Sequence, residues 1–401
     1  MRIVVIGCGL ISHAIVLDLA KSKEVNEIII GDVDERRRID LLEKIKSDKV
    51  TQKHIDVTDQ QATIKEIKNS DVVISALPYR ISILASRAAV SAGVSLVDCS
   101  YVQEQWDLDK QARKAGTIIM PDCGVAPGLS NILVGHAVSQ MNEVDYAEII
   151  CGGIPQKPIS PLDYRIVFST EGVVDLLCGK VPIIRNGKIT NIDALSGLRI
   201  VDFPGIGNLE VFFTDGLSTL LHTMKNKIKN LEEKTARWPG HVEKIQTMKD
   251  VGFFDMDSIE VDGAKVIPRN VTIKLFDKYL RLEDTKDLTV LRVQVNGKKN
   301  GRIVEYSYFM LDFFDEKHRM TSMARTTGFT AGIISRMIGR GDIKETGVVP
   351  AEIAITEDRF DTFFAELSKK GIKVNATYKC EFPILGQEIE VHRWKDSLII
   401  A

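Results

Sequence analysis

The chain has 401 residues, 44% of them hydrophobic and 27% charged, with a formal net charge of -2. That length exceeds a single hydrophobic core and points to two or three domains, while the near-neutral balance argues against a nucleic-acid surface. No apolar run approaches the ~20 residues that a bilayer span needs, an apolar strand begins at residue 3 so that no signal peptide is expected, and Cys8, Cys99, Cys123, Cys151, Cys178 and Cys380 form no CxxC pair. The expectation is a cytoplasmic protein with reduced thiols, no bound metal and neither membrane nor nucleic-acid partners.

In chain order, the apolar run Ile3–Ile6 leads directly into Gly7-x-Gly9-x-x-Ser12 and a helix over 11–21. Strand, glycine turn and helix in that order are the context in which this motif binds a dinucleotide. Gly7 permits the tight turn. Gly9 lets the backbone approach a pyrophosphate, and the helix start, with Leu10 and Ile11, offers free amides and a positive dipole end. Ser12 stands where a third glycine would bring the helix close to the strand. A second strand over 27–30 ends in Gly31-Asp32. A carboxylate at that point binds both ribose hydroxyls of NAD and repels the 2′-phosphate of NADP. Arg36, Arg37 and Arg38 follow it and form the case for NADP.

Further strands are expected at 54–57, 72–76, 95–98 and 117–120, with helices near 35–46, 60–67, 81–92 and 105–114. Apolar runs without alternation mark strands buried on both faces, hence a parallel doubly wound sheet with its ligand at the carboxyl strand ends. Ser75-Ala76-Leu77-Pro78-Tyr79 closes the fourth strand, where Ala76, Leu77 and Pro78 would meet the cofactor. Asp98 and Asp122 end the fifth and sixth strands and enter the same cleft. Pro127-Gly128 sets a turn before a helix from about 129, which puts Ser130 and Asn131 at its start, with Asn131 assigned to the substrate. Cys123 reads as a packing residue, since no base accompanies it.

The second half is different. Ile184–Ile189 is a hairpin turning at Asn186-Gly187. Strands over 290–295 and 304–314 flank a polar turn. Helices are expected near 217–233, 240–250 and 268–281. The densest polar cluster is Thr235-Ala-Arg237-Trp238-Pro239-Gly240-His241. Arg237, on an extended segment, suits bidentate binding of a carboxylate. His241, in a first helical turn, is disfavoured as a cation and suits a neutral base or hydrogen-bond partner. Tyr164, Arg165, Glu171, Arg199 and His222 are further polar candidates, each structural when taken singly.

Several stretches resemble the saccharopine dehydrogenase-like family, nearest the archaeal L-lysine dehydrogenases within it. They are Ile6–Gly9, Gly31–Val33, Ser75–Pro78, Asp122–Leu133, Arg185–Lys188, Thr214–Leu217, Arg237–His241 and Thr327–Ala331. The resemblance implies an α/β fold in three parts. A Rossmann-type domain over 1–124 receives a returning helix near 325–345. An α+β substrate and dimerisation domain covers 125–324, and an extension over 346–401 has no assigned role. It also implies a homodimer and oxidation of a C–N bond with NAD or NADP. By position, Gly7, Gly9, Asp32, Ala76, Leu77 and Pro78 would hold the dinucleotide, while Asp122, Arg237 and His241 would face an amino-acid substrate. The leading expectation is NAD-dependent oxidative deamination of L-lysine at its ε-carbon, giving ammonia and a cyclic imine, with Asp122 or His241 as base. One rival is a saccharopine dehydrogenase, which needs a further Arg or Lys such as Arg165 or Arg199. The other is a non-catalytic NAD sensor, which needs none of Asp122, Arg237 and His241.

Overall fold

The computed structural model describes residues 1–167, 169–281, 286–382 and 387–391. Its strands in chain order are β1 (Arg2–Ile6), β2 (Glu27–Asp32), β3 (Val50–His54), β4 (Val72–Ser75), β5 (Ser95–Asp98), β6 (Ile118–Met120), β7 (Glu143–Pro155), β8 (Lys180–Arg185), β9 (Lys188–Asp193), β10 (Arg199–Phe203), β11 (Gly207–Phe213) and β12 (Ile228–Arg237). They continue with β13 (Ile259–Val261), β14 (Ala264–Val266), β15 (Asp287–Lys299), β16 (Arg302–Phe313), β17 (Gly347–Val348), β18 (Val374–Phe382) and β19 (Gln387–Val391).

The first sheet has seven strands in the order β17-β6-β5-β4-β1-β2-β3, all paired in parallel. Strand order reverses on either side of β1, which opens a crevice at the carboxyl ends of β1 and β4, the usual ligand position of a doubly wound sheet. The second sheet is mixed. Its main path runs β10-β11-β12-β7-β15-β16-β18-β19, with β8 and β9 attached at β12. The expected hairpin is present, with Asn186 and Gly187 at φ 51° and 73° in its turn. Residues beyond 346 serve both sheets: β17 extends the first at β6, and β18 extends the second at β16.

Three elements depart from the sequence expectation. The third strand is Val50–His54, ahead of the expected 54–57. At an edge it buries little, and the apolar pair Ile55 and Val57 that suggested a strand packs just after it. The helix expected over 217–233 is a single turn, Leu220–Thr223, followed by β12. Leu217, Leu220, Leu221, Met224, Ile228 and Leu231 recur at helical spacing, yet the chain beyond Ile228 is held between β7 and β11, and tertiary pairing overrides local preference. The returning helix, expected near 325–345, lies earlier, at Ser322–Gly339 after the N-cap Thr321, whose side chain caps Ala324 N–H. Gly328 lets it touch the helix Ser12–Lys21, since a Cβ there would lie 2.6 Å from the Ala14 methyl.

Candidate active site

The glycine turn connects β1 to the helix Ser12–Lys21. Gly7 has φ 100°, and a Cβ on it would lie 2.6 Å from the Ala76 carbonyl oxygen. Its glycine is required by the protein itself. Gly9 differs, because a Cβ there would meet nothing within 4 Å. The space beside it is open, and Leu10 stands 66% exposed at its edge. Neither Ile11 nor any other side chain caps the helix, so its first amides remain available to an anion. Ser12 Oγ donates to the Gly7 carbonyl at 2.6 Å and ties the turn where the third glycine is missing. The turn therefore fits a dinucleotide pyrophosphate.

Asp32 closes the same pocket. Its Oδ2 accepts from Cys8 N–H at 2.8 Å and its Oδ1 from Asp34 N–H at 2.9 Å. Arg38 is buried and turned away, donating to Gln52 Oε1 and the Asp32 carbonyl. Arg37 lies 3.5 Å from Asp34. Of the three arginines, Arg36 alone has no ion pair or side-chain hydrogen bond among the described residues, while Asp34 caps the helix they begin. On the far side, Ala76 and Leu77 are half-buried and Pro78 is exposed at the mouth of the crevice; the Leu77 carbonyl accepts from Ser100 Oγ.

Asp122 follows β6 and sits 1% exposed with φ 61°, a left-handed conformation that Asp tolerates better than most residues. Its Oδ2 accepts from Ser218 Oγ at 2.5 Å and Thr219 N–H at 3.2 Å, while its Oδ1 is buried with no partner. Burial pushes the carboxyl up to about 7, the field of Glu352 adds to that, and the Ser218 and Thr219 bonds pull the other way. It can therefore exchange a proton near neutrality.

Arg237 ends β12, and His241 opens the helix His241–Asp250 after a Trp-Pro-Gly turn. Arg237 is 3% exposed. One NH1 bond goes to the Ala236 carbonyl, Nε has no partner, and the guanidinium lies 4.4 Å from the Tyr164 ring centroid. No carboxylate of the described residues pairs with it. The carboxylate nearest along the sheet, Glu210, is used by the Gly240 and Val242 amides. His241 is 1% exposed; its Nδ1 meets the Leu162 carbonyl at 2.7 Å, and its Nε2 is buried without a partner. The carbonyl requires the proton on Nδ1, so Nε2 presents its lone pair. Burial, and then the Arg237 cation, lower the ring to about 4.

Other sequence candidates have different roles. Asn131 is fully buried. Its Oδ1 accepts from Gly128 N–H and Ser130 Oγ, and its Nδ2 donates to Thr219 Oγ1. Those bonds tie it to the segment that holds Asp122, so it supports the site and presents no free group to a ligand. Asp98 is buried and holds the Ser100 amide and Gln105. The Cys123 thiol is fully buried and pushed well above its ordinary value, as suits packing. Arg165 donates to the Ile159, Tyr164 and Ser160 carbonyls. Arg199 pairs with Glu148. His222 lies at the rim against Trp106 and Gln103, and Glu171 pairs with the exposed Arg80. Sequence reading missed Glu233, Ser218 and Thr219. Glu233 was legible as the period-2 series Leu231-x-Glu233-x-Thr235-x-Arg237, concealed by the helical spacing of the leucines before it.

A nucleotide-ready crevice on a doubly wound sheet, facing a second sheet that carries a buried acid and a buried cation, defines a two-domain α/β oxidoreductase. Residues 3–120 match the family model described as Saccharopine dehydrogenase NADP binding domain, and residues 124–372 match Saccharopine dehydrogenase C-terminal domain. The chain belongs to the saccharopine dehydrogenase family. Saccharopine dehydrogenase [NADP(+), L-glutamate-forming] of Schizosaccharomyces pombe is 27% identical over 269 residues, 63% of this chain and 58% of that protein. Alpha-aminoadipic semialdehyde synthase of Bos taurus is 27% identical over 52% of this chain and 23% of its own length, so the matches span only part of these relatives. Carboxyaminopropylagmatine dehydrogenase of Synechocystis is 22% identical over 95% of this chain and 99% of that protein. Apo saccharopine dehydrogenase (L-Glu forming) from Saccharomyces cerevisiae shares the fold, with a TM-score of 0.78 over 94% of this chain and 99% of that one at 19% identity. No helix among the described residues is long and apolar enough to cross a membrane.

Proposed function

We propose that the chain is a pyridine-nucleotide-dependent dehydrogenase of a C–N bond, with L-lysine as substrate and NAD as preferred acceptor. One observation carries the substrate: Arg237 is a buried cation without a carboxylate among the described residues, on the sheet whose loop residues Ser218 and Thr219 hold the buried Asp122. An arginine fork suits one carboxylate, and the substrate's α-carboxylate supplies it.

Gly7, Gly9, Leu10, Ile11, Asp32, Ala76, Leu77 and Pro78 would hold the dinucleotide, which when bound supplies the hydride acceptor. Arg237 fixes the carboxylate end and so sets the reach of the ε-carbon. The ε-nitrogen arrives as an ammonium, and an ammonium has no lone pair to drive hydride loss. Asp122 takes that proton on its free Oδ1, with an affinity matched to neutral solution. The neutral His241 is too weak a base for the same task and accepts a hydrogen bond at Nε2. Loss of hydride from the ε-carbon, driven by the nitrogen lone pair, would leave an iminium; water adds to it, ammonia leaves, and the aldehyde closes on the α-amine with loss of water.

NAD is favoured by Asp32, whose carboxylate at the end of the second strand would repel a 2′-phosphate, and by the engagement of Arg37 and Arg38 elsewhere. The names of the yeast relatives and of the nucleotide-domain model favour NADP and a saccharopine substrate. That second reading needs a cation for the glutamate arm. Arg165 and Arg199, the two offered by the sequence, are occupied by backbone carbonyls and by Glu148. Reduction of NAD and NADP with lysine, ornithine, saccharopine and carboxynorspermidine tests the assignment. Lysine with NAD should give the highest kcat/KM, and a higher value for saccharopine overturns it.

A further inference from the structure

Glu233, Thr235 and Arg237 alternate along β12 and therefore share one face of the sheet. The loop Thr214–Thr219 lies along that face. Thr214 Oγ1 meets Thr235 Oγ1 at 2.8 Å, Gly216 packs on the Glu233 carboxylate with no room for a Cβ, and Ser218 and Thr219 hold Asp122. Glu233 is 5% exposed and its Oε2 has no hydrogen-bond partner. Among the described residues no cation pairs with Glu233, Asp122 or Asp215. The wall thus holds two buried acids with a free oxygen each, and a buried arginine with a free Nε four residues along the strand.

We propose that Glu233 recognises the reacting ammonium of the substrate, and that Glu233 and Arg237 together select an amino acid with a carboxylate at one end and a primary amine at the other. This rests on the C–N dehydrogenase reading above and adds a specificity residue to it. Four residues of strand set the two Cα atoms about 13 Å apart, with Thr235 between them. Asp122 stands at the Glu233 end, close enough for its field to act on that carboxylate, so a nitrogen held by Glu233 lies near the proposed base. No cation of the described residues stands at this end, so a nitrogen that carries further carboxylates finds no partner for them there. Burial, and then the fields of Asp215 and Asp122, push Glu233 up to about 8, as expected for an acid that lacks its cation until a ligand brings one.

The test uses binding of 6-aminohexanoate and hexanoate to the protein with NAD present, read by calorimetry. The two probes share a carboxylate and differ in the terminal ammonium. The wild type should bind 6-aminohexanoate at least tenfold more tightly. Glu233→Gln should abolish that gap, and Glu233→Asp, with its charge on a shorter arm, should keep part of it. Thermal melts establish that both variants fold. No gap in the wild type, or a gap unchanged in either variant, overturns the proposal. A gap that depends on Glu233 in a protein that does not oxidise lysine supports the ammonium site and refutes the reaction. Lysine oxidation without the gap does the reverse.

Discussion

The guanidinium of Arg237 lies 4.4 Å from the Tyr164 ring centroid, and both side chains are almost wholly buried. The ring face gives the cation a favourable quadrupole worth about 2 kcal/mol when desolvated. That offsets only part of burying a charge without a counter-ion, which runs to several kcal/mol. A stacked arginine with a free Nε is pre-set to receive an anion, and a substrate carboxylate completes it.

Arg237→Lys should therefore keep the fold and raise KM for lysine by at least tenfold. An ammonium can neither stack on Tyr164 in the same way nor form a two-point fork. Cadaverine, which lacks the carboxylate, should be a poor substrate of the wild type and should lose little further in the variant. Steady-state kinetics with both amines checks this, and equal use of cadaverine and lysine by the wild type contradicts it.

Asp122 must be ionised to accept a proton. Its folded value of about 7 is above the ordinary carboxylate range, so kcat/KM should rise with pH through the neutral region as the carboxylate forms. Because the substrate binds as an ammonium, kcat/KM should fall again as free lysine loses that proton, at an ordinary pKa of ~10.4. Asp122→Asn should remove the neutral limb and lower kcat by about 10²–10⁴, the usual contribution of a positioned base. His241, lowered to about 4, should add no limb between pH 5 and 8, so a neutral limb that persists in Asp122→Asn and disappears in His241→Gln reverses the two roles.

The two glycines of the turn should separate stability from binding. Gly7→Ala places a Cβ against the Ala76 carbonyl at a positive φ and should cost at least ~1 kcal/mol of stability, read as a lower Tm. Gly9→Ala meets open space and should leave Tm nearly unchanged. Its methyl group enters the volume that a pyrophosphate would fill, so the Kd for NAD should rise.

Asp32→Ser should lower kcat/KM for NAD by about 1–3 kcal/mol, roughly 5- to 150-fold, through the loss of a charged hydrogen bond. It should also improve the use of NADP, with Arg36 free to approach a 2′-phosphate. Equal or better use of NADP by the wild type contradicts the NAD preference.

The nucleotide half was legible because its chemistry is local. A glycine turn between a strand and a helix, and an acid at the next strand end, are short-range patterns with short-range causes. Asp122, Arg237 and His241 were legible as residues but not as an arrangement, since their free atoms depend on Ser218, Thr219, Tyr164 and Leu162, which are remote in sequence. Asn131 shows the limit from the other side. Its place at a helix start was correct, while its amide nitrogen donates to Thr219, 88 residues away. Glu233 was hidden because the leucines before it follow a helical period, and only pairing with β7 and β11 makes that segment a strand.

The fate of the nitrogen decides the central claim. Purified protein with NAD and L-lysine should form NADH and free ammonia in equal amounts, with a cyclic imine as the carbon product. Saccharopine oxidation releases glutamate and no ammonia. NADH and ammonia from lysine alone is the result the structure supports; glutamate from saccharopine, with no turnover of lysine, would contradict it.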